Sequence, residues 1–158
     1  MLNIDEAKIT EVMQIRYHRE LYPDLMDIEV INKGDWIDLR CAEKTEIKQG
    51  EIKVIPLGIS SKLPDGYTAI IAPRSSTLRK YGILMGNSIG IIDESYCGDN
   101  DIWGFVAYAI RDTVIEVNER ICQFKIEPKM SSHINLKLQT VEKLDGPDRG
   151  GIGSTGTI

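Results

Sequence analysis

The chain has 158 residues and a formal net charge of −5, with 42% hydrophobic and 27% charged residues. This composition is typical of one globular domain, which at this length buries roughly 70% of its unfolded surface without covalent cross-links. The negative charge disfavours a nucleic-acid backbone as a partner, and no apolar run approaches the roughly 20 residues that a membrane span requires. We therefore expect neither nucleic acid nor a membrane as a partner.

The three cysteines, Cys41, Cys97 and Cys122, are far apart and show neither CxxC nor Cys/His spacing. Such a set is typical of a reducing compartment and not of a disulfide framework or a zinc site. The N-terminal residues MLNIDEAKIT have no basic start and no apolar core, so they do not resemble a signal peptide. These features favour a cytoplasmic protein.

Residues 1–13 are mildly amphipathic and fit either a short helix or an N-terminal extension. From Gln14 onward, short apolar runs with period two predict strands, and Gly-containing turn signals separate them. The runs lie around Ile28 and Val30, at Ile47, and at 52–55, 104–110, 121–126 and 134–138. Many short strands at this spacing predict an all-β sandwich, jelly roll or small barrel, with residues 1–144 as a single domain.

Only residues 75–81 look helical inside this domain. A serine directly after Pro73-Arg74 is a plausible N-cap, and no Gly or Pro interrupts the segment that follows. After Leu144 the composition shifts to GPDRGGIGSTGTI, which has little to bury. We expect residues 145–158 to form a flexible C-terminal arm.

The stretch from 72 to 98 carries groups suited to a small polyphosphate ester with a heterocycle. Pro73-Arg74-Ser75-Ser76 is a turn that offers a cation and hydroxyls, and the amide of Asn87 has a donor and an acceptor face. Asp93 ends the apolar run 89–92. It is either a turn-initiating aspartate or a general base whose proton affinity is tuned by partial burial. Tyr96 adds an aromatic ring three residues later.

The remaining polar residues have ordinary interpretations when taken singly. Asp38, Arg120 and Gln123 flank or alternate with apolar residues and fit exposed strand positions. The two histidines have no Ser or Cys elbow nearby in the sequence, so a Ser/His or Cys/His nucleophilic site is unsupported. The G-x-G-x-x-G match at 151–156 has no helix after it and is not a dinucleotide fingerprint. It fits a disordered tail or an arm that wraps phosphate.

Five segments together resemble the ordered motifs of the trimeric deoxyuridine triphosphatases (dUTPases), most closely the Bacillus and phage members. They are DWIDL at 35–39, PRSS at 73–76, GNSIGIIDESYCG at 86–98, ERICQF at 119–124 and RGGIGSTG at 149–156. The resemblance implies a jelly-roll-like β-clip subunit in a homotrimer, with active sites at subunit interfaces. The C-terminal arm would close over a neighbouring subunit's site.

The same resemblance implies hydrolysis of dUTP to dUMP and pyrophosphate by in-line attack of water on the α-phosphorus. This reaction limits uracil in DNA and supplies dUMP for thymidylate synthesis. Mg²⁺ would be the cofactor, held through substrate phosphates and water with no direct protein ligand.

Site residues follow from the motifs position by position. The catalytic set would be Asp93 as the base together with Gln123 and Asp38. Asn87 would read the uracil edge, and Tyr96 would pack on the deoxyribose. The other substrate contacts implied are Arg74, Ser75, Ser76, Gly90, Ile92, Arg120, Arg149, Ile152, Gly153, Ser154 and Thr155.

Two departures from the family pattern stand in the last motif. Ile152 replaces the usual aromatic residue that stacks on uracil, and Arg149 lies two residues closer to the final GSTG. Trp103 is an alternative source of a stacking ring. Two rival functions remain open: a deoxycytidine triphosphate deaminase, disfavoured because Trp103 occupies the place of its glutamate, and a nucleotide-switched phage-type regulator that binds a host protein.

Overall fold

The structure is a computed structural model that describes residues 8–151 and Gly156. Over these residues the chain forms eleven strands, one α-helix and a single 3-10 turn, so the all-β prediction is confirmed. The elements are β1 Gln14–Tyr17, β2 Ile37–Arg40, β3 Thr45–Ile47, β4 Ile52–Pro56, β5 Ile59–Lys62, β6 Tyr67–Pro73, α1 Thr77–Tyr81, β7 Ile83–Met85, β8 Gly90–Ile92, β9 Gly104–Ala109, β10 Thr113–Ile115, β11 Arg120–Pro128 and the 3-10 turn Met130–Ser132.

The strands pair antiparallel in four groups and give a jelly-roll-like arrangement. The largest sheet has the order β2-β11-β6-β8, and a second sheet has the order β4-β9-β7. The pairs β1-β5 and β3-β10 complete the fold. Strand β11 is the longest, and it pairs with β6 from Cys122 opposite Pro73 to Pro128 opposite Tyr67. This ladder fixes where the motif residues at both ends of β6 lie.

Strand alternation produces one apolar core. In β9, Phe105, Ala107 and Ala109 are buried, while the residues between them face outward. Trp103 packs edge-on against Phe124, with ring centroids 5.4 Å apart. Both rings are almost fully buried and anchor the two larger sheets to each other.

The predicted helix is confirmed, but its capping was predicted wrongly. Ser76 is the N-cap residue of α1, yet neither it nor Ser75 makes a side-chain capping hydrogen bond. The hydroxyl of Thr77 instead accepts a 2.9 Å hydrogen bond from the N–H of Arg74. At the other end Gly82 adopts φ +64°, a conformation that favours glycine and ends the helix.

Two predicted strand regions were wrong. Residues 18–36 form turns and irregular chain around Ile28 and Val30, and the segment after the 3-10 turn has no strand at 134–138. The side chain of Leu138 is 92% exposed. A period-two pattern needs a partner strand to become a ladder, and neither segment meets one in the described part of this chain.

An apolar face remains exposed on the β4-β9-β7 sheet. Tyr108 of β9 lies between its paired residues, Ile52 of β4 and Leu84 of β7, and Val54 extends the same face. Such contiguous apolar surface marks an association site more often than a solvated face. In the described part of the chain, no helix has the length and apolar character to cross a membrane.

Candidate active site

A cavity of about 460 Å³ brings together the residues predicted from the third motif. We call it the Asp93 cavity. It lies at the β8 edge of the large sheet, next to the loop that leads into β9. Its walls include Asn87, Gly90, Ile92, Asp93 and Tyr96. The sequence prediction that these five residues share one site is consistent with this geometry.

The turn between β7 and β8, which belong to different sheets, places Asn87 in the cavity wall. The N–H of Ser88 donates to the carbonyl of Met85 at 3.0 Å, and Ser88 adopts φ +63° to make the turn. Gly90 then packs against Ile71, where an added Cβ would lie 3.1 Å from the Cβ of Ile71 and from Cε of Met85. The lack of a side chain at Gly90 lets β8 lie close to the core, which fixes the position of the cavity wall.

Asp93 stands in the turn after β8, with its carboxylate exposed. The N–H of Ser95 donates to Oδ1 of Asp93 at 2.8 Å, and the hydroxyl of Ser95 donates to the same oxygen at 2.6 Å. These hydrogen bonds, first that of the hydroxyl, lower the pKa of Asp93. Tuning by partial burial was therefore wrong for the single chain. Here hydrogen bonding stabilises the ionised form.

The two aromatic side chains at this cavity, Tyr96 and Trp103, differ in how much of the ring is exposed. Tyr96 is held by the hydrogen bond that its hydroxyl donates to the carbonyl of Ile102 at 3.2 Å, and its ring remains accessible. Trp103 is 1% exposed, which leaves its ring almost no surface on which a base could stack. Tyr96 is thus the aromatic side chain that the cavity offers to a ligand, and Trp103 serves as part of its wall.

A second cavity, of about 370 Å³, gathers residues of the first, second and fourth motifs. We call it the Arg74 cavity. Its walls include Asp38, Arg74, Ser75 and Gln123, together with residues from the segment 31–36. The amide of Gln123 donates to the carbonyl of Pro73 at 3.1 Å, which fixes the side chain beside the Pro-Arg-Ser-Ser turn.

A network of charges orients the arginines. Nε of Arg74 lies 3.0 Å from Oδ1 of Asp38, and a guanidinium nitrogen of Arg120 lies 3.8 Å from Oδ2. Arg120 also donates to Glu29 at 2.6 Å. Glu29 lies in the irregular segment before β2 and gave no signal in the sequence.

Thr77 is a second residue that sequence reasoning missed. It is fully buried, and its hydroxyl donates to the carbonyl of Ile121 at 2.7 Å while accepting from the N–H of Arg74. The side chain therefore fastens the Pro-Arg-Ser-Ser turn to β11. A threonine directly after this turn is the only sequence signal that could have pointed to it.

The two cavities lie at opposite ends of β6 in one chain. Ile92 pairs with Ala69, so Asp93 lies beside Thr68, whereas Arg74 directly follows the last residue of the strand. Six residues at about 3.3 Å each separate the two positions by roughly 20 Å. One chain therefore does not bring Asp93 close to Arg74, Asp38 or Gln123.

The last motif is only partly described. Arg149 is exposed and lies in irregular chain. Ile152, Gly153, Ser154 and Thr155 lie outside the described residues, as do residues 1–7 of the predicted N-terminal extension. Ser76 is exposed beside the Arg74 cavity.

A Ser–His contact exists that the sequence did not suggest. Nε2 of His18 lies 2.5 Å from Oγ of Ser60, and Nδ1 lies 3.0 Å from Glu20. The hydroxyl of Ser60 donates to the carbonyl of Asp99 at 2.7 Å, so its proton points away from the imidazole. Because His18 and Ser60 are also buried, we interpret this contact as a structural link between β1, β5 and the loop at Asp99, and not as a nucleophile.

Comparisons with known proteins agree with this geometry. Residues 36–156 match the family model described as dUTPase. The chain is 53% identical over 130 residues to the SPbeta prophage-derived deoxyuridine 5'-triphosphate nucleotidohydrolase YosS of Bacillus subtilis, covering 82% of this chain and 89% of that protein. It is 38% identical over 127 residues to the deoxyuridine 5'-triphosphate nucleotidohydrolase of Chromobacterium violaceum, covering 76% and 80% respectively.

Solved structures give the same result for the fold. The dUTPase of Streptococcus mutans matches with a TM-score of 0.62 and 25% identity over 73% of this chain and 94% of its own. The Staphylococcus bacteriophage 80alpha dUTPase with dUPNHPP matches with a TM-score of 0.72 and 22% identity over 94% of this chain and 100% of its own. The chain belongs to the dUTPase family.

Proposed function

We propose that this protein hydrolyses dUTP to dUMP and pyrophosphate, with Asp93 activating the attacking water. The observation that carries the proposal is the Asp93 cavity, which joins an ionised carboxylate, the amide of Asn87 and the ring of Tyr96. The relative from phage 80alpha was solved with the dUTP analogue dUPNHPP. Together with the family match, these features support a site for a deoxyuridine nucleotide.

Asp93 is suited to act as the base because it stays ionised at neutral pH and its second oxygen remains free of Ser95. A positioned base supplies about 10²–10⁴-fold of rate acceleration. In this scheme Asp93 takes a proton from the water that attacks the α-phosphorus, and pyrophosphate leaves in line. Asn87 contacts the uracil edge, and Tyr96 packs on the deoxyribose and excludes a 2′-hydroxyl.

The phosphate-binding residues come from a second copy of the chain. The roughly 20 Å between Asp93 and Arg74 along β6 is longer than one substrate's reacting region can bridge. A homotrimer would bring the Arg74 cavity of one subunit to the Asp93 cavity of the next, which supports the interface site implied by the family resemblance. The exposed apolar face of the β4-β9-β7 sheet supports self-association.

In that shared site, Arg74, Ser75, Ser76 and Gln123 contact the phosphates, and Arg120 and Asp38 keep Arg74 in place. The C-terminal arm, with Arg149 and residues 152–155, closes over the terminal phosphate and excludes water from the reaction. Ile152, at the place where family members usually carry an aromatic ring, would offer the base only an aliphatic side chain.

Mg²⁺ fits this donor set as a phosphate-bound ion. Among the described residues no group of three or more His, Cys, Asp or Glu side chains forms a metal cage. Mg²⁺ commonly keeps several waters and binds through substrate phosphates with few protein ligands. When bound, it would neutralise charge on the triphosphate. A dUTPase of phage phi11 of S. aureus coordinates a structural Mg(II) ion.

The deciding experiment is a pyrophosphate-release assay with dUTP, UTP, dTTP and dCTP. We expect turnover of dUTP alone, and ammonia release from dCTP would instead support a deaminase. Asp93→Asn should abolish turnover and leave dUTP binding intact, whereas Glu127→Gln, which removes an exposed carboxylate on β11, should be fully active. Retained turnover by Asp93→Asn would contradict the assigned base.

Subunit mixing tests the shared site. Asp93→Asn and Arg74→Ala subunits should each be inactive alone, and a co-refolded mixture should regain part of the wild-type activity. Such recovery requires that one site takes Asp93 and Arg74 from different chains. Light scattering should give a mass three times that of the 17.7 kDa chain. A monomeric active enzyme would exclude this arrangement.

The regulatory alternative is not favoured, because the relatives that match most of the chain are named as nucleotidohydrolases. A cytoplasmic location accompanies the proposed function and is supported by the three cysteines, which are all free thiols.

A further inference from the structure

Glu94 directly follows Asp93 and joins three segments of the chain. Its Oε1 accepts a 2.8 Å hydrogen bond from the N–H of Gly66, in the turn between β5 and β6. Its Oε2 accepts a short hydrogen bond from the ammonium of Lys129, the first residue after β11. The N–H of Lys129 donates to the carbonyl of Gly66 at 2.8 Å, so each of these three residues is hydrogen-bonded to the other two. We call these three residues the Glu94 clasp.

The two ionisable side chains of the clasp, Glu94 and Lys129, form an ion pair that is partly shielded from solvent. The side chain of Glu94 is 27% exposed and that of Lys129 is 40% exposed. The hydrogen bond from Lys129 is the main cause that lowers the pKa of Glu94, and the same bond raises the pKa of Lys129. An isolated ion pair with this exposure contributes little to stability. The backbone of Gly66 donates to the Glu94 carboxylate and accepts from the N–H of Lys129, which gives the clasp a defined geometry. We therefore expect the clasp to affect the position of the turn more than the stability of the protein.

The geometry of the clasp bears directly on Asp93. The turn is closed by the N–H of Tyr96, which donates to the carbonyl of Asp93 at 3.0 Å. Ser95 orients the Asp93 carboxylate from inside this turn, and Glu94 anchors the same turn to β6 and β11 from outside. A displaced Glu94 would move the backbone that carries Asp93.

The clasp also sets the charge near Asp93. Asp65 comes from the Gly66 turn, Asp93 and Glu94 come from the turn after β8, and Lys129 is the cation among them. The 3-10 turn Met130–Ser132 adds no charge. The hydrogen bonds from Ser95 are the main cause of the lowered pKa of Asp93, and the Lys129 ammonium lowers it by the smallest contribution.

We propose that Glu94 and Lys129 are positioning residues for the water-activating carboxylate of Asp93. The clasp holds the turn 93–96 at the cavity wall, and the Lys129 ammonium favours the ionised carboxylate. This inference rests on the proposed role of Asp93 in dUTP hydrolysis. Neither residue lines the Asp93 cavity, so both act through Asp93 and not through contact with substrate.

The test compares Lys129→Met, Lys129→Arg and Glu94→Gln with the wild-type enzyme on dUTP. Lys129→Met should lower kcat about three- to tenfold while KM stays within about twofold, because the base is displaced and the bound substrate is not. The acid limb of its kcat profile should move to higher pH, because a cation that favours the ionised Asp93 carboxylate is lost. Lys129→Arg should restore both values, and Glu94→Gln should lower kcat in the same direction.

Lys44→Met is the matched control, because Lys44 forms an exposed ion pair with Glu116 and neither residue lines the Asp93 or the Arg74 cavity. It should match the wild type in kcat and in pH profile. Circular dichroism and thermal unfolding show whether each variant folds. If Lys129→Met is less stable but keeps the wild-type kcat and acid limb, the positioning role is overturned. A wild-type enzyme that releases no pyrophosphate from dUTP would instead contradict the proposed function itself.

Discussion

Nε of Arg74 lies 3.0 Å from Oδ1 of Asp38, although the two residues are 36 positions apart in the sequence. The Asp38 side chain is only 18% exposed and faces two guanidinium groups, those of Arg74 and Arg120. A carboxylate in this position holds Arg74 in one orientation before any phosphate arrives. In the proposed site, Asp38 would therefore orient Arg74 for the phosphates.

Asp38→Asn should weaken that organisation. We expect kcat/KM for dUTP to fall about tenfold and the free energy of unfolding to fall by about 1–2 kcal/mol, since a charged hydrogen bond is lost at a partly buried site. Steady-state kinetics and urea unfolding measure the two effects. Glu127→Gln on β11 provides the control. An Asn variant with wild-type kcat/KM would show that Asp38 does not orient Arg74.

Thr77→Val should affect stability and phosphate binding together. The substitution keeps the shape of the side chain but leaves the carbonyl of Ile121 and the N–H of Arg74 without the partner that Thr77 provides. Each unpaired buried group costs about 1–3 kcal/mol, so the free energy of unfolding should fall by about 2–6 kcal/mol. KM for dUTP should rise because the Arg74 turn loses its anchor. Thr77→Ser keeps the hydroxyl and should behave almost as the wild type in both measurements.

Ser95→Ala should shift the pH dependence of turnover. The Ser95 hydroxyl is the first cause of the lowered pKa of Asp93, so its removal raises that pKa toward the ordinary value for aspartate. The acid limb of kcat/KM should therefore move to higher pH, and Ser95→Thr, which keeps the hydroxyl, should leave it in place. An acid limb that does not move in Ser95→Ala would assign it to another group.

The same lowered pKa links Asp93 to stability. A carboxylate with a depressed pKa in the folded state stabilises the protein above its ordinary pKa, and this contribution is lost as the pH falls through the folded value. The stability difference between wild type and Ser95→Ala should thus be present at neutral pH and disappear in strong acid. Chemical unfolding across this pH range provides the measurement.

The sequence was informative wherever a pattern is local. The alternating residues of β9 and β11 predicted both strands to within a few residues. Asn87, Asp93 and Tyr96, which the resemblance groups as site residues, line one cavity. The strand predicted at 134–138 was wrong even though its apolar residues do alternate. No strand of the described chain pairs with this segment.

The missed features all depend on contacts between distant positions. Glu29 meets Arg120 across 91 residues, Ser60 meets His18 across 42, and Glu94 meets Lys129 across 35. Each of these side chains has an ordinary solvated interpretation until the sheet order is known. Asp93 failed for a different, local reason: its position after an apolar run suggested burial, whereas Ser95, two residues later, sets its proton affinity in an exposed turn.

Ile152→Phe addresses the departure in the last motif. An aromatic ring at this position would restore the stacking that family members usually have, and it should change KM for dUTP more than kcat because it contacts the base and not the reacting phosphate. The comparison needs steady-state kinetics with dUTP and, for selectivity, UTP. A large fall in kcat with unaltered KM would contradict a role in base binding.

The cysteines should differ sharply in reactivity. Cys97 is exposed, whereas Cys41 and Cys122 are buried, and burial raises the pKa of both buried thiols. Because the thiolate is the reactive form, a thiol reagent at mildly alkaline pH should modify Cys97 in the native protein and reach the other two only on unfolding. A colorimetric thiol count should therefore rise from one per chain to the three in the sequence when denaturant is added. In the Cys97→Ser variant the native signal should vanish, and fast native labelling of Cys122 would show that the core around β11 opens readily.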